Sequence, residues 1–292
     1  MAIEFKIDWL SVTVHASITY ADRIWENFFQ DHLGDLQDTG HGGRGFKVLQ
    51  FAELGSKMYT MPTGDGVYFH IELPGKACAC IPPDTFRAFI KYLEAKERTE
   101  ITKFKVKRLD FAFDNVPFNP DMFEEAIKEN RVRSLTQRES LKTIDSPFRK
   151  REDDSGLGCK TVYFGSPSST RKVRVYNKRG PVRLELELRD IRADYVARVV
   201  LAQEKDWMAP AIAHVRDFID IYEDSEKTEL AGWWKEFIED VTRAYAKVYS
   251  SKELSKERVK AWFENQVAVW LFVLKTIEPE FLEKIAVDGA KR

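Results

Sequence analysis

The sequence predicts an α+β fold in which a mostly antiparallel sheet is flanked by helices and followed by a helical C-terminal region. Three observations support this prediction. Short segments of alternating apolar and polar residues dominate the first 190 residues. Segments with apolar residues at three- and four-residue spacing interrupt them and prevail after Asp190. Glycine and proline become rare after the same point, which favours helices over strands and turns.

The alternating segments predict the strands of the sheet. In chain order, they cover residues 6–15, 67–73, 104–114, 160–165, 171–178 and 182–189. Helical spacing predicts helices over residues 19–33, 82–97 and 121–130. We therefore divide the chain into a domain at 1–190 that carries the chemistry and a helical region at 191–292 for packing, dimerisation or DNA contacts.

Residues 34–46 contain five glycines and are expected to form a loop. A phosphate-binding glycine loop needs a strand before it and a helix after it. Neither flank fits that pattern, so a nucleotide-binding loop is not predicted.

Composition limits the classes of protein that this chain can be. Hydrophobic residues make up 43% of the 292 residues, so a large core can form and global disorder is excluded. The net charge is −1, so any contact with nucleic acid must come from local clusters of cations. Three cysteines without a CxxC motif argue against a disulfide framework. No apolar run is long enough to span a membrane and no signal peptide is apparent, so a cytoplasmic protein is expected.

The segment KVRVYNKRGPVRLELELRD, residues 172–190, predicts a hairpin with an ionic face. A turn at Arg179–Gly180 would use the positive φ that glycine adopts easily. Period-two alternation then separates the side chains into an apolar face and an ionic face. The predicted cross-strand pairs are Tyr176 with Arg183, Arg174 with Glu185, and Lys172 with Glu187.

A second acidic strand, RLDFAFD at residues 108–114, predicts a site for a cation. Alternation places Arg108, Asp110 and Asp114 on one face, and Ala112 leaves room between the carboxylates. A hard divalent cation prefers such oxygens, and Mg²⁺ commonly takes only one or two carboxylates and keeps several waters. The alternative is a surface on which these charges form salt bridges across the strands.

Cations concentrate around the predicted hairpin. Between Pro147 and Arg183 there are ten Lys or Arg residues and three acidic residues, although the whole chain is nearly neutral. Phosphate contacts explain this concentration more easily than solubility does. The residues expected to contact DNA are Arg171, Lys172, Arg174, Lys178 and Arg179.

Tyr176 lies among these cations and is the candidate nucleophile for phosphoryl transfer. That reaction needs an in-line nucleophile, a cation at the non-bridging oxygens and neutralisation of charge. We expect Arg174, Lys178 and Arg183 to favour the phenolate form of Tyr176. Attack on a DNA phosphodiester would leave a covalent phosphotyrosine link that can later be rejoined.

These residues also carry a resemblance to a known family. VYNKRGPVRLELELRD resembles the tyrosine motif of the trans-acting Rep type of replication initiators from rolling-circle plasmids of Gram-positive bacteria. RLDFAFD resembles the arginine–aspartate strand of that family. Weaker similarities are found in IDWLSVTV, in FHIELPGKAC and in KERVKAWFENQVA near the C-terminus.

The resemblance implies a homodimeric nicking-closing enzyme that binds a double-stranded origin, cuts one strand and then holds single-stranded DNA at the nick. It implies Tyr176 as the nucleophile and Asp110 and Glu185 as ligands of Mg²⁺ or Mn²⁺, with Asp114 and Glu187 less clearly involved. A host helicase is an expected partner. His70 has no second histidine beside it, so carboxylates are expected to supply most of the metal ligands.

Two other functions remain open from the sequence. A DNA-binding protein without catalytic activity could use the same basic hairpin to hold a duplex. A metal-dependent hydrolytic nuclease would cut DNA without forming a covalent adduct. The sequence leaves open which segment recognises the bases of the origin.

Overall fold

The computed structural model describes residues 2–99, 103–134, 140–150, 157–177 and 180–239. Within these ranges, ten strands form one large antiparallel sheet in the order β2-β3-β4-β5-β1-β6-β11-β10-β9-β8. A separate two-stranded sheet pairs β12 with β7. The strands are β1 Glu4–His15, β2 Gln37–Asp38, β3 Phe46–Phe51, β4 Lys57–Pro62, β5 Phe69–Pro74, β6 Lys103–Asp114, β7 Val132–Ser134, β8 Leu141–Lys150, β9 Leu157–Phe164, β10 Arg171–Asn177, β11 Val182–Arg189 and β12 Ile219–Ile221.

Helices supply most of the rest of the fold. A short 3₁₀ turn at Glu53–Gly55 and a π-helical turn at Ala197–Leu201 add to them. The α-helices of the described ranges are α1 Ile18–Phe28, α2 Gln30–Leu33, α3 Gly75–Cys78, α4 Pro83–Thr99, α5 Pro120–Lys128, α6 Asp190–Val196, α7 Met208–Phe218 and α8 Gly232–Ile238.

The large sheet has one apolar face and one polar face because its strands alternate. On β6, Leu109, Phe111 and Phe113 have no solvent exposure, and on β11 Leu184 and Leu186 have none either. These side chains form the centre of the core. The opposite face carries the ionic residues, so the polar face of the sheet is where a site can form.

Local sequence explains why α5 begins where it does. Asn119 accepts a hydrogen bond from the backbone N–H of Met122 at 2.9 Å, and Pro120 occupies the first helical position. An N-cap side chain satisfies one of the free N–H groups at a helix start, and proline has no N–H there to satisfy. The helix predicted at 121–130 is therefore confirmed with a start one residue earlier.

The predicted α+β class is confirmed, and six predicted strands are present in the sheet. The prediction missed β2, β3, β4 and β8 of this sheet. β8 contains Pro147, which lowers strand propensity but is tolerated on an edge strand, and β8 is the last strand of the sheet. The helix predicted at 19–33 is broken at Phe29 into α1 and α2.

The change from strands to helices occurs at Asp190, where β11 ends and α6 begins. Residues Ile219–Ile221 differ from the prediction, because they form β12 instead of continuing a helix. The chain divides into two compact units, Met1–Thr242 and Arg243–Arg292. The helices predicted beyond residue 239 lie outside the described residues, and the domain boundary proposed at 190 stays a prediction.

A membrane-spanning helix would have to be both long and strongly apolar. In the part of the chain that the structure describes, no helix meets both conditions.

Candidate active site

The hairpin β10–β11 has the register that its sequence predicts. Tyr176 pairs with Arg183, Arg174 pairs with Glu185, and Lys172 pairs with Glu187. Since paired residues project to the same side of an antiparallel sheet, all six side chains lie on the polar face. At the alternate positions, Val173 and Val175 have no solvent exposure. A shift of one residue would exchange the two faces, so burial of the valines and leucines fixes the site.

β6 lies directly beside β11 and brings the second acidic strand to the same face. Asp110 pairs with Glu187, and Asp114 pairs with Arg183. Glu185 pairs with Ala112, whose small side chain leaves space on the polar face. The two acidic strands predicted from the sequence are therefore neighbours, and their carboxylates lie on the same face.

Asp110 and Glu185 share one cation. Arg174 forms an ion pair with Glu185, and its Nη2 lies 3.8 Å from Asp110 Oδ2. Both carboxylates are fully buried. Burial raises the pKa of Asp110 to about 6, and the hydrogen bonds that it accepts from Arg108 only partly oppose this. The two residues lie on the same face, as the predicted metal site requires, and their role as ligands stays a prediction.

Tyr176 donates a hydrogen bond from its hydroxyl to Glu185 Oε1. Burial raises the pKa of Tyr176 well above its usual value, and the charge of Glu185 raises it further. Arg183 and Arg174 lower this pKa, but by less. Arg183 and Arg174 thus favour the phenolate in direction, as predicted, but burial and the charge of Glu185 outweigh them.

Arg183 joins carboxylates from three strands and is almost completely buried. Its guanidinium lies 2.7 Å from Asp114 Oδ2, 2.8 Å from Asp8 Oδ1 and 3.4 Å from Glu185 Oε1. Burial alone would raise the pKa of Asp114, but hydrogen bonds from Arg183 and Lys6 outweigh it and lower that pKa to about 2. Arg183 faces Tyr176 as predicted, yet its hydrogen bonds hold the carboxylates in place.

Glu187 is held by cations on both of its sides. Arg108 Nη2 lies 3.3 Å from its carboxylate, Lys172 Nζ lies at 3.2 Å, and Arg189 Nε lies at 2.6 Å. Burial would raise the pKa of Glu187, but these cations, with Arg108 first, lower it. Glu187 is thus surrounded by three cations, and its role as a metal ligand stays a prediction.

The residues predicted to contact DNA do not all lie on this face. Lys172 and Arg174 are partly exposed on it. Arg171 is a correction: it alternates with Lys172, so it projects from the apolar side, where it pairs with Asp217 and lies over the ring of Phe218. Lys178 and Arg179 lie outside the described residues.

His70 lies on the same face but has its own partners. Its Nδ1 is 2.9 Å from Thr13 Oγ1, and its Nε2 is 3.6 Å from Glu72. Within the described ranges, no three His, Cys, Asp or Glu side chains converge as ligands of one metal.

The donor chemistry of Asp110 and Glu185 nevertheless fits a hard divalent cation. Both are buried carboxylates, and they share the guanidinium of Arg174 as a neighbour. Asp110 also pairs with Arg108, and Glu185 also pairs with Arg183. Two carboxylates together with water are a sufficient ligand set for Mg²⁺.

Sequence reasoning missed Lys6 and Asp8, which approach the site from β1. Lys6 pairs with Asp114, and Asp8 pairs with Arg183. Asp8 lies at a register shift between Ile7 and Trp9, where β1 has one residue more than β6. A β-bulge redirects side chains without leaving a clear mark in the alternation, so the sequence offered no signal for Asp8.

Comparisons with known proteins were consistent with one another. The family model described as replication initiation factor (Rep_trans) matches residues 104–288, more than half of the chain. The solved structure of a rolling circle replication initiator protein from Geobacillus stearothermophilus is similar to this chain. It shows 21% identity and a TM-score of 0.63, over 82% of this chain and 97% of that chain. This similarity shows a shared fold.

Two further comparisons with known proteins say nothing about the fold or the function of this chain. The structure of the Methanococcus jannaschii TBP aligns with 70% of this chain and 99% of that chain at 10% identity, with a TM-score of only 0.25. No curated protein matches the chain.

Proposed function

Since the chain belongs to the Rep_trans family of replication initiation factors, we propose that it starts rolling-circle replication by nicking one strand of a plasmid origin through Tyr176. The hydrogen bond from the Tyr176 hydroxyl to the buried carboxylate of Glu185 carries this proposal. It pairs a nucleophile with a group that can accept its proton, on a face bordered by cations.

The high pKa of Tyr176 makes a proton acceptor necessary. At neutral pH the phenol stays protonated, so it cannot attack a phosphodiester until its proton leaves. Glu185 Oε1 already accepts that hydrogen bond, whereas its other oxygen pairs with Arg174. We therefore assign Glu185 as the general base.

The bonds change in one displacement at phosphorus. The Tyr176 oxygen bonds to phosphorus, Glu185 takes the phenol proton, and the bond from phosphorus to the 3′ oxygen breaks. The 3′ oxygen takes a proton from solvent and becomes the hydroxyl that a DNA polymerase extends. Attack of a 3′ hydroxyl on the phosphotyrosine reverses these steps and rejoins the strand, with Glu185 returning the proton.

Charge at the phosphate is neutralised by cations of the same face. Arg174 lies beside Tyr176, with its guanidinium carbon 6.0 Å from the ring centre. Arg183 fixes the position of Glu185 and Asp114 and acts as a positioning residue. A divalent cation, Mg²⁺ or Mn²⁺, held by Asp110 and Glu185 would neutralise charge on the non-bridging oxygens.

The proposal includes the partners that the sequence suggested. We propose a double-stranded origin as the substrate before the nick and single-stranded DNA after it. Lys172 and Arg174 are the described cations best placed to contact phosphates, because they are partly exposed on the polar face. A homodimer and a host helicase complete the proposed assembly.

The test is formation of a covalent protein–DNA adduct. The full-length protein is incubated with supercoiled origin DNA and with single-stranded origin DNA in the presence of Mg²⁺, and a denaturing gel is examined for a shifted band. Tyr176→Phe should abolish the band because it removes the attacking oxygen. Tyr163→Phe is the matched control, since Tyr163 pairs with Arg174 on the neighbouring strand and should retain the adduct.

Other outcomes would favour the other functions. Nicking by wild-type protein without a shifted band would favour a hydrolytic nuclease. Origin binding without nicking would favour a DNA-binding protein without catalytic activity. Normal nicking by Tyr176→Phe would overturn the proposed role of this tyrosine.

A further inference from the structure

The polar face continues beyond the candidate active site toward the N-terminal strands. Thr13 of β1 pairs with His70 of β5 and with Lys105 of β6, and His70 pairs with Tyr59 of β4. Ser11, two residues before Thr13 on the same face, pairs with Arg108, which holds Asp110. The candidate active site and the region around Thr13 and His70 therefore lie on one continuous surface. About 15–20 Å along the strands separates them.

A series of aromatic rings follows this part of the face. We name it the aromatic row: His15, Tyr68, Phe46, Tyr59 and His70. Successive ring centres are 5.4, 5.4, 5.7 and 6.0 Å apart. Each contact lies in the range typical of interacting rings.

Exposure changes along the aromatic row. Tyr59 and His70 are buried, and Tyr59 donates a hydrogen bond to Glu72 at 3.3 Å. Tyr68 is half-buried, and His15 is exposed. The two buried rings pack against each other on the neighbouring strands β4 and β5. The exposed end has no such packing role and presents ring surface to solvent.

Cations border the exposed end of the aromatic row. Lys103 pairs with His15 across β1 and β6, and Lys105 follows on the same edge. Both lysines are exposed, and neither forms an ion pair with a described residue. At the buried end of the row, Arg44 lies over the Tyr59 ring at 5.8 Å and pairs with the buried Glu72, which neutralises that carboxylate.

We propose that the aromatic row and its bordering lysines bind single-stranded DNA next to the nick. This inference rests on the proposed function and adds a binding surface that is separate from the basic hairpin. Rings that stack with bases, combined with cations that contact the phosphates, are the usual elements of single-strand binding without sequence preference. Bases inside a duplex are already stacked on each other, so these rings favour the single strand. The continuous surface leads that strand to Tyr176.

The experiment measures binding of a fluorescent oligothymidylate of about 16 nucleotides by anisotropy, with the full-length protein. Tyr68→Ala should weaken binding about tenfold, because one stacked base is lost. Tyr68→Phe should bind within about twofold of wild type, since stacking needs the ring and not the hydroxyl. Both variants should bind duplex origin DNA as tightly as wild type.

Substitution of two exposed lysines, one in the proposed surface and one outside it, provides a test that does not disturb packing. Lys105→Ser should weaken oligothymidylate binding and reduce the dependence of affinity on salt by about one counterion. Lys91→Ser is the matched control, because Lys91 is an exposed lysine on α4, and it should change neither property.

Wild-type affinity of Tyr68→Ala for oligothymidylate would overturn the proposal. An equal loss of single-strand and duplex binding would also overturn it, since the proposal requires a loss that is confined to single-stranded DNA. The covalent adduct separates this inference from the proposed function. If Tyr176→Phe nicks normally while Tyr68→Ala binds oligothymidylate more weakly than wild type, only the proposed nucleophile is wrong. If the adduct depends on Tyr176 while Tyr68→Ala binds normally, only the aromatic row is wrong.

Discussion

Glu185 and Glu124 have the same kinds of neighbours in two different regions of the protein. Glu185 on β11 accepts a hydrogen bond from Tyr176 and pairs with Arg174. Glu124 on α5 accepts a hydrogen bond from Thr143 at 2.7 Å and pairs with lysines at 2.7 and 2.5 Å. Each glutamate thus has one hydroxyl donor and at least one cation.

Depth and the type of cation distinguish the two regions. Glu185 is fully buried and its partner is an arginine, whose planar guanidinium fixes the direction of each hydrogen bond. Lys128, a partner of Glu124, is 60% exposed and has a flexible ammonium. A hydroxyl, a carboxylate and a cation are therefore insufficient to make a reactive site. Complete burial and fixed geometry make the first group a candidate for catalysis, whereas an exposed and flexible lysine borders the second.

The largest expected difference between the regions is in activity. Glu185→Gln should slow formation of the covalent adduct by about 10²–10⁴-fold, because an amide cannot accept the Tyr176 proton. The measurement is the single-turnover rate of adduct formation on single-stranded origin DNA. The loss should persist at saturating Mg²⁺, which separates proton transfer from weakened metal binding.

Glu124→Gln is the matched control and should form the adduct at the wild-type rate. Equal rates for the two variants would contradict the distinction between the regions and remove Glu185 from the proposed reaction.

The second difference concerns stability. Arg183→Ala should lower the free energy of unfolding by about 3–5 kcal/mol, because it removes a buried cation that pairs with both Asp114 and Glu185. Among the cations of the described residues, the two carboxylates would keep only Lys6 and Arg174, which are partly exposed.

Arg189→Ala should change the free energy of unfolding by less than about 1 kcal/mol, since Arg189 is 43% exposed and its pair with Glu187 is screened by water. Urea unfolding followed by circular dichroism measures both values. Similar losses for the two arginines would show that burial does not set the strength of this network.

The smallest expected effect is the pH dependence that Glu124 contributes. Burial would raise its pKa, but hydrogen bonds from its lysines and Thr143 outweigh burial and lower the pKa from 4.5 to about 2. A lowered pKa stabilises the fold above pH 4.5, and this contribution is lost as pH falls toward 2. Exposure of the lysines screens it, so we expect less than about 1 kcal/mol.

Glu124→Gln should therefore flatten the dependence of the free energy of unfolding on pH within that window. Urea unfolding at several pH values measures the profile, and added salt should reduce the difference from wild type. A difference that is unaffected by salt would indicate that Glu124 is not a screened surface group.

The sequence predicted a large part of the candidate site because strand alternation has a strict period of two. The register of β10 with β11 follows from the burial of residues such as Val173 and Leu186, which leaves the ionic side chains on the other face. The same rule placed Asp110 and Asp114 together on β6. The same rule puts Arg171 on the opposite face from Lys172, so Arg171 does not share the polar face with Lys172 and Arg174.

The amino-acid sequence by itself determined the fold class, the faces of the β10–β11 hairpin and the identity of Tyr176 as the candidate nucleophile, because these depend on local patterns. The tertiary structure decided what surrounds that tyrosine. Neighbouring strands bring carboxylates that neutralise the arginines, and burial raises the pKa of Tyr176 where the local charges predicted the opposite. It also brought Asp8 to Arg183 through a bulge and joined His15, Phe46 and Tyr68 into one row. Electrostatic and ring contacts depend on distance in space, and residues that are far apart in the chain supply most of them.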